Sequence, residues 1–148
     1  MEPAASVRDE HEVAAAVQGA IGLLVRKMRQ AHLPGELTLA ESSALKRLDK
    51  GGPATSSDLA KQDRISPQSM GATVAALEER GLVGRAPDPA DGRRSILSLS
   101  ADGRALLQRR RSARSEHLSA ALESAFTRAE VKQLQAAAPL IERLAQNI

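Results

Sequence analysis

Four consecutive residues, Asp91-Gly92-Arg93-Arg94, lie between two short apolar segments, Leu82–Val83 and Ile96–Leu99. Asp-Gly is typical of a tight turn, so this pattern predicts a β-hairpin with both arginines at its tip. Two guanidinium groups there have no role in a folding core, but they are well placed to enter a nucleic-acid groove. We predict that Arg93 or Arg94 enters a narrow minor groove, whose negative potential attracts arginine. Asp91 is expected to pair with one of them and hold it in a usable rotamer.

The arginines of the hairpin belong to a longer basic stretch. The whole chain has a net charge of +3, whereas residues 82–114 contain eight arginines against three aspartates, which leaves +5. A local basic footprint of this kind suits contact with phosphates. The solvated surface of a basic protein is the alternative interpretation, and composition alone does not decide between the two.

Helix start and stop signals indicate the elements that position the hairpin. Thr38 with Glu41 and Thr127 with Glu130 form capping boxes, and Ser66 precedes Pro67 as a cap followed by a proline in the first turn. The pattern predicts a mostly α fold with a small β-hairpin wing, that is, a winged helix-turn-helix with further helices at both ends. The predicted helices are 9–31, 38–50, 56–63, 66–80, 101–124 and 128–146, and the predicted hairpin is 82–99.

The predicted fourth helix, 66–80, has two distinct faces. Met70, Val74 and Leu77 share an apolar face, and the opposite face should meet the bases of the major groove near the helix start. Gln can bond adenine at two positions and Ala can touch the methyl of thymine, whereas no Arg or Lys stands here to bond guanine. We therefore expect a preference for A·T pairs; a merely polar helix face is the alternative. The base-facing candidates are Gln68, Ser69, Ala72 and, at the margin, Thr73.

Phosphate contacts are predicted from the hydroxyls and cations beside this helix and in the hairpin, since such groups and helix N-termini commonly bind the DNA backbone. For the hydroxyls, a purely structural role as helix caps is the alternative. The candidates around the third helix are Ser56, Ser57, Lys61, Arg64 and Ser66; those in the hairpin are Arg85, Asp91, Arg93 and Arg94.

Both ends of the chain are predicted to be amphipathic helices without a large core of their own. The last one repeats apolar residues at intervals of three and four, which is typical of a helix that packs on another helix. Pro139 interrupts this seam and predicts a bend near residues 135–139. Packing against a second subunit is the favoured interpretation, and packing back on the same monomer is the alternative. The seam consists of Val131, Leu134, Ala138, Ile141, Ala145 and Ile148.

Other classes of function leave no signature in the sequence. A single phenylalanine, without tryptophan or tyrosine, argues against binding of single strands by base stacking. The chain has no glycine-rich phosphate loop, no cysteine, and no histidine paired with a plausible serine and aspartate, so neither an enzyme nor a cofactor is predicted. The three histidines, His11, His32 and His117, are scattered, so no metal site is predicted either.

Targeting signals are also missing from the printed sequence. The first twelve residues lack the basic segment and apolar run of a signal peptide, and no apolar stretch approaches the roughly 20 residues of a membrane helix. The sequence therefore predicts a soluble, cytoplasmic protein.

The hairpin motif resembles that of the MarR-type winged-helix transcriptional regulators. The wing signature of that family reads Asp-x-Arg, five residues, Leu-Thr; here it stands as Asp91-Gly92-Arg93, then residues 94–98, then Leu99-Ser100. Serine replaces threonine, and it still caps the following helix. The preceding run from Leu77 to Val83 is similar to the family as well, and the resemblance covers nearly the whole chain.

This resemblance implies one MarR-type domain over residues 1–148, with dimerisation helices at 9–35 and 101–148 around a winged-helix DNA-binding region at 36–100. It implies a homodimeric regulator, usually a repressor, on pseudo-palindromic double-stranded promoter DNA, with helix 66–80 in the major groove and wing 84–96 in the minor groove. Many relatives release DNA when a small-molecule effector binds. A winged-helix module for non-specific DNA binding or for protein interaction, without an effector, remains the alternative.

Overall fold

The computed structural model describes residues 4–31 and 33–148. The chain divides into two compact units, residues 1–33 and 34–148. In the first unit, α1 spans Ala4–Gln30. It begins five residues before the predicted start. The sequence did not indicate this first segment, because residues 4–8 show no apolar periodicity. His32, one of the three scattered histidines, lies outside the described residues.

The second unit contains the winged helix and two further helices. Apart from one short strand before α3, its elements follow the predicted order, with boundaries within one or two residues of those expected. They are α2 (Leu39–Gly51), β1 (Ala54–Thr55), α3 (Ser56–Asp63), α4 (Pro67–Glu79), β2 (Val83–Pro87), β3 (Ser95–Leu99), α5 (Ala101–Ala125) and α6 (Arg128–Gln146).

The hairpin is part of a three-stranded antiparallel sheet in the order β1-β3-β2. Strands β2 and β3 pair from Val83 opposite Leu99 to Pro87 opposite Ser95. The sequence did not predict β1, whose two residues pair with Leu97 and Ile96. A strand of two residues is too short to show alternation, so its formation depends on the neighbouring strand rather than on a local pattern.

The core of the second unit lies between the helix-turn-helix and the sheet. Met70, Val74 and Leu77 are buried as the helical periodicity predicted. They pack with the other buried residues of α2, α3 and β3, and each fully buried side chain of this size contributes about 1.5–3 kcal/mol. The largest fully buried side chains are Leu45, Leu59, Met70, Val74, Leu77 and Leu97.

Most predicted caps form, with one difference. Thr127 with Glu130 makes the predicted reciprocal capping box, and Ser66 caps α4. Thr55 with Asp58 makes a further reciprocal capping box at the start of α3. Thr38 accepts the backbone N–H of Glu41 at 3.1 Å, but the Glu41 carboxylate lies 3.3 Å from Arg80 Nη1 instead of completing the box. The prediction of a capping box at Thr38 was therefore half right, because a distant arginine competes for the carboxylate.

The start of α5 is fixed closely to the end of α4. The hydroxyl of Ser100 caps α5 and donates to the carbonyl of Gly81, while the backbone N–H of Ser100 donates to Leu82 O at 3.1 Å. Gly103 is buried against the same carbonyl, so that a Cβ there would lie 2.1 Å from Leu82 O. Only glycine allows α5 to approach the sheet this closely.

Arg110, farther along α5, is 8% exposed. Its Nη1 donates to the carbonyls of Pro34 and Gly35 at 3.2 and 2.6 Å, and its Nε is buried without a hydrogen-bond partner in the described structure. Burial, together with the nearby charges of Arg114 and Arg80, lowers the pKa of Arg110. This arginine is therefore a structural contact between α5 and the segment before α2.

Helix α6 continues through Pro139 as a single element. None of its residues is buried, and the apolar seam includes side chains that are about half exposed, among them Leu134 and Ile141. The seam thus lies on the surface of the described monomer.

Candidate nucleic-acid interface

The face of α4 opposite the core is exposed. Gln68, Ser69 and Ala72 are exposed, and Thr73 is half-buried at the margin, as predicted for a helix face that is not packed on the core. Gln68 makes no side-chain hydrogen bond with the rest of the described structure, so its amide is available for an external partner. Pro67 in the first turn starts the helix, since its missing N–H would have had no helical acceptor.

The hydroxyl groups around the start of α4 are already engaged. Ser66 Oγ accepts the backbone N–H of Ser69 at 3.1 Å and lies 2.9 Å from Ser69 Oγ, to which it donates. Thr73 Oγ1 donates to Ser69 O at 3.0 Å. These bonds orient Ser66 and Thr73 toward the helix itself, and they leave Gln68 and Ala72 as the less constrained pair on this face.

Arg64, in the turn between α3 and α4, has a left-handed backbone conformation with φ 54° and ψ 44°. This conformation costs most residues other than glycine about 1–2 kcal/mol. The N–H of Arg64 nonetheless caps α3 by donating to the carbonyls of Ala60 and Lys61, and the side chain is exposed. Arg64 therefore projects a cation from the turn that directly precedes the base-facing helix, and Lys61 adds an exposed charge nearby.

The N-terminus of α3 is occupied by its own capping box. Asp58 Oδ2 accepts the Thr55 N–H at 3.3 Å, and Thr55 Oγ1 accepts the Asp58 N–H at 3.1 Å. Side-chain hydrogen bonding with Thr55 lowers the pKa of Asp58, and the charge of Arg94 acts in the same direction. Ser57 is exposed beside this cap and Ser56 is half-buried, so Ser57 is the more accessible of the two predicted phosphate contacts.

The turn of the wing is stabilised by aspartate side chains that bind backbone. Asp91 Oδ1 accepts the backbone N–H of Arg93 at 3.1 Å, and Asp88 Oδ1 accepts that of Ala90 at 2.9 Å. The expected pairing of Asp91 with a guanidinium group was wrong, because the carboxylate accepts the backbone N–H of Arg93 in its own turn instead. Asp91 pre-organises the backbone of the tip rather than an arginine rotamer.

The two arginines at the tip differ in their contacts. Arg94 Nη2 donates to Thr55 Oγ1 at 3.3 Å, which ties the wing to the start of α3. The exposed side chain of Arg93 makes no hydrogen bond or ion pair with the described residues. Of the two alternatives left open by the sequence, Arg93 is thus the side chain available to a groove.

Arg85, predicted as a DNA contact, forms a two-pronged ion pair with Glu78 of α4, in which Nε lies 3.0 Å from Oε1. Hydrogen bonding to Glu78 raises the pKa of Arg85. The ion pair connects β2 to α4. No local pattern in the sequence indicates this pairing, since the two residues lie on different elements.

The basic stretch at residues 82–114 is divided among several contacts. Besides Arg85 and Arg94, Arg110 binds the segment before α2, and Arg111 lies 3.3 Å from Asp49 of α2. The sequence left a phosphate-binding footprint and the solvated surface of a basic protein as alternatives. In the structure, these four guanidinium groups each contact other groups of the protein.

The described residues hold no membrane-spanning helix and no metal-binding cluster. Within residues 4–31 and 33–148, each helix is too short or too polar to cross a membrane. Potential metal ligands do not come together in groups of three or more in the same part of the chain.

Comparison with known proteins gives consistent matches. The profile of the MarR family matches residues 37–95. The HTH-type transcriptional regulator Mb0904 of Mycobacterium bovis is 36% identical over 82% of this chain and 85% of its own length. The HTH-type transcriptional repressor Rv2887 of Mycobacterium tuberculosis is 34% identical over 60% of this chain and 65% of its own length.

Solved structures share the same architecture. A candidate transcriptional regulator from Pseudomonas aeruginosa superimposes with a TM-score of 0.78 at 29% identity, covering 94% of this chain and 96% of that protein. The winged-helix fold expected from the sequence is therefore confirmed.

Proposed function

Because the chain belongs to the MarR family of DNA-binding transcriptional regulators, which are not enzymes, we propose that it acts as a homodimeric repressor on pseudo-palindromic promoter DNA. Each protomer would place α4, predicted as residues 66–80, in the major groove and the wing, residues 84–96, in the adjacent minor groove. The name of the mycobacterial relative Rv2887, a repressor, supports this direction of regulation.

The observation that carries the proposal is the contrast between engaged and available groups on the second unit. Arg85 and Arg94 are bound within the protein, whereas the side chains of Gln68 on α4 and Arg93 at the wing tip are exposed and make no hydrogen bond in the described structure. An amide can bond adenine in the major groove and a cation is attracted to a narrow minor groove, so both available groups suit DNA readout by a winged helix.

The exposed seam of α6 supports the homodimer. Helix α6 has no buried residue in the described monomer, and apolar side chains such as Leu134, Ile141 and Leu144 are left 41–49% exposed. Two-fold pairing through α1 and α5–α6, the proposed dimerisation helices, would cover these side chains and present two α4 helices about 34 Å apart. The winged-helix region would then be residues 36–100 of a single MarR-type domain.

Two further elements of the proposal follow from the family. A small-molecule effector would release the protein from DNA, and its pocket would be built mainly from Leu, Met and Ala side chains, since the chain has one aromatic residue. A regulator of promoters acts where the DNA is, so we place the protein in the cytoplasm. Screening ligands for release of bound DNA tests the first element.

The deciding experiment is binding of the purified protein to DNA upstream of its own coding region, measured by fluorescence anisotropy at physiological salt with excess bulk DNA. Specific regulators bind their sites about 10³–10⁷ times more tightly than bulk DNA. Competitor-resistant binding at one dimer per site would support the proposal. If no site selected from random DNA resists competition, the protein is a non-specific or protein-interaction module, an alternative that is compatible with the absence of Arg and Lys at the start of α4.

A further inference from the structure

Helix α2 carries a basic cleft that the sequence analysis did not identify. The cleft has a volume of about 450 Å³ and is lined by Ser43, Lys46, Arg47, Lys50, Gly51 and Gln62; we call it the α2 cleft. Three of its six residues are cationic and none is acidic. We propose that the α2 cleft is an additional contact for the phosphate backbone of DNA, an inference that rests on the proposed function.

The position of the cleft follows from contacts between α2 and the end of α3. Arg47 forms an ion pair with Asp63, and its Nη2 donates to Gln62 O at 3.2 Å. Ser43 Oγ donates to Asp63 Oδ1 at 3.0 Å. These bonds fix the cleft beside the last turn of α3, and Asp63 directly precedes Arg64 in the turn of the helix-turn-helix.

The charges at this place favour a polyanion. Arg47 forms an ion pair with Asp63, and the lining also includes the cationic residues Lys46 and Lys50. Lys61 in the last turn of α3 and Arg64 directly after this helix are also exposed cations. Lysine contacts phosphates as a flexible point charge, so it suits a chain of phosphates without requiring a shaped pocket.

The exposure of the lining argues for DNA over a small anion. Lys46, Arg47, Lys50 and Gln62 are all exposed, so none of these four polar side chains is buried in a way that would enclose and orient a free ligand. A duplex bound by α4 would hold its phosphates close to the turn at Arg64. The local concentration of phosphate would then be high, which compensates for the weakness of each contact with an exposed lysine.

The test compares two variants with the same change of charge. Lys46→Gln/Lys50→Gln alters the α2 cleft, and Arg128→Gln/Lys132→Gln alters exposed residues of α6 as a control. Binding to a duplex of mixed sequence is measured by anisotropy from 50 to 200 mM salt. Thermal unfolding and light scattering verify that both variants keep the fold and the oligomeric state of the wild type.

We expect the cleft variant to lower the slope of log affinity against log salt by about 0.9 for each phosphate that it no longer neutralises, while the control keeps the slope of the wild type. The charge-preserving variant Lys46→Arg/Lys50→Arg should restore the slope. A cleft variant that matches the control would overturn the inference. A second result would also overturn it: calorimetry shows that inorganic pyrophosphate binds at the cleft, while the cleft variant keeps the salt slope of the wild type. The site would then hold a small anion rather than DNA.

Different results would refute the proposed function and the role of the α2 cleft. Failure of the wild type to bind any duplex would refute the proposed function itself. Binding by the wild type with equal slopes for the cleft and control variants would refute the α2 cleft alone.

Discussion

Arg94 at the wing donates through Nη2 to the hydroxyl of Thr55, 3.3 Å away at the start of α3. Thr55 also accepts the Asp58 N–H, and its own N–H donates to the Asp58 carboxylate. A residue of the wing, a helix cap and a carboxylate are thus joined in one small network. Arg93, one position earlier, is left outside it, so two neighbouring arginines of the same motif have different roles.

Replacement of the two arginines should separate these roles. Arg94→Ala removes a hydrogen bond to the α3 cap and should lower the free energy of unfolding by about 0.5–1.5 kcal/mol. Arg93→Ala should leave the melting temperature unchanged, because the side chain makes no hydrogen bond or ion pair in the described structure, and should weaken binding to many duplex sequences. Thermal unfolding and anisotropy titrations measure the two effects. Equal losses of stability in both variants would contradict the assignment.

The backbone of Arg64 allows a test that uncouples folding from binding. Its left-handed conformation is readily adopted by asparagine, which populates this region more than most residues do. Arg64→Asn should therefore unfold at or above the temperature of the wild type and bind duplex DNA more weakly, with a salt slope lower by about 0.9 per protomer.

Arg64→Lys is the matched control, because it keeps the charge and the unfavourable backbone. It should retain the salt slope of the wild type. If Arg64→Asn binds DNA as tightly as the wild type, the arginine is a structural residue of the turn.

The helices could be predicted from the sequence because their signals are local. Ser66-Pro67 and Thr127 with Glu130 mark helix starts within a few residues, and Met70, Val74 and Leu77 mark a core face by spacing alone. Some site residues, in contrast, have partners far away along the chain. Arg94 is 39 positions from Thr55, and no local pattern indicates that pairing.

The individual contacts of the basic residues could not be predicted from the sequence either. For the arginines at 82–114, composition leaves DNA contact and a solvated surface as alternatives, and it cannot show that Arg85 meets Glu78. The basic lining of the α2 cleft was missed because Lys46 and Lys50 are adjacent to Gln62 only in the folded chain.

Asp58 should make stability depend on acidity in a predictable direction. Hydrogen bonding with Thr55 lowers the pKa of Asp58 below its ordinary value of 3.8. The carboxylate therefore stabilises the fold above about pH 3.8, and this contribution is lost as the pH falls through the lower value of the folded state. The difference in unfolding free energy between the wild type and Asp58→Asn should be constant near neutral pH and should shrink below pH 3.8. Denaturant titrations at several pH values measure it, and a difference that grows with acidity would contradict the sign.

Gln68 is the best candidate for reading a base, since its amide is exposed and unengaged. Gln68→Ala should cost about 1–3 kcal/mol on the preferred site and little on bulk DNA. The two are compared by anisotropy on a site obtained by selection from random sequences. That selection should return A·T pairs under α4, and invariant guanines at those positions would refute the role of Gln68.

Gly103 should be among the least replaceable residues of the second unit. A Cβ at this position would lie 2.1 Å from the carbonyl oxygen of Leu82, which is held in place by the N–H of Ser100. Gly103→Ala should force α5 away from the sheet and lower the free energy of unfolding by about 1–3 kcal/mol or more, as overpacking does in a rigid core.

Gly71 of α4 is the matched control, because a Cβ there meets no atom within 4 Å. Gly71→Ala should instead raise stability by about 0.5–1 kcal/mol, since alanine loses less conformational freedom in a helix. Denaturant unfolding of the two variants gives the signs directly, and a neutral Gly103→Ala would show that the contact between α5 and the sheet yields without cost.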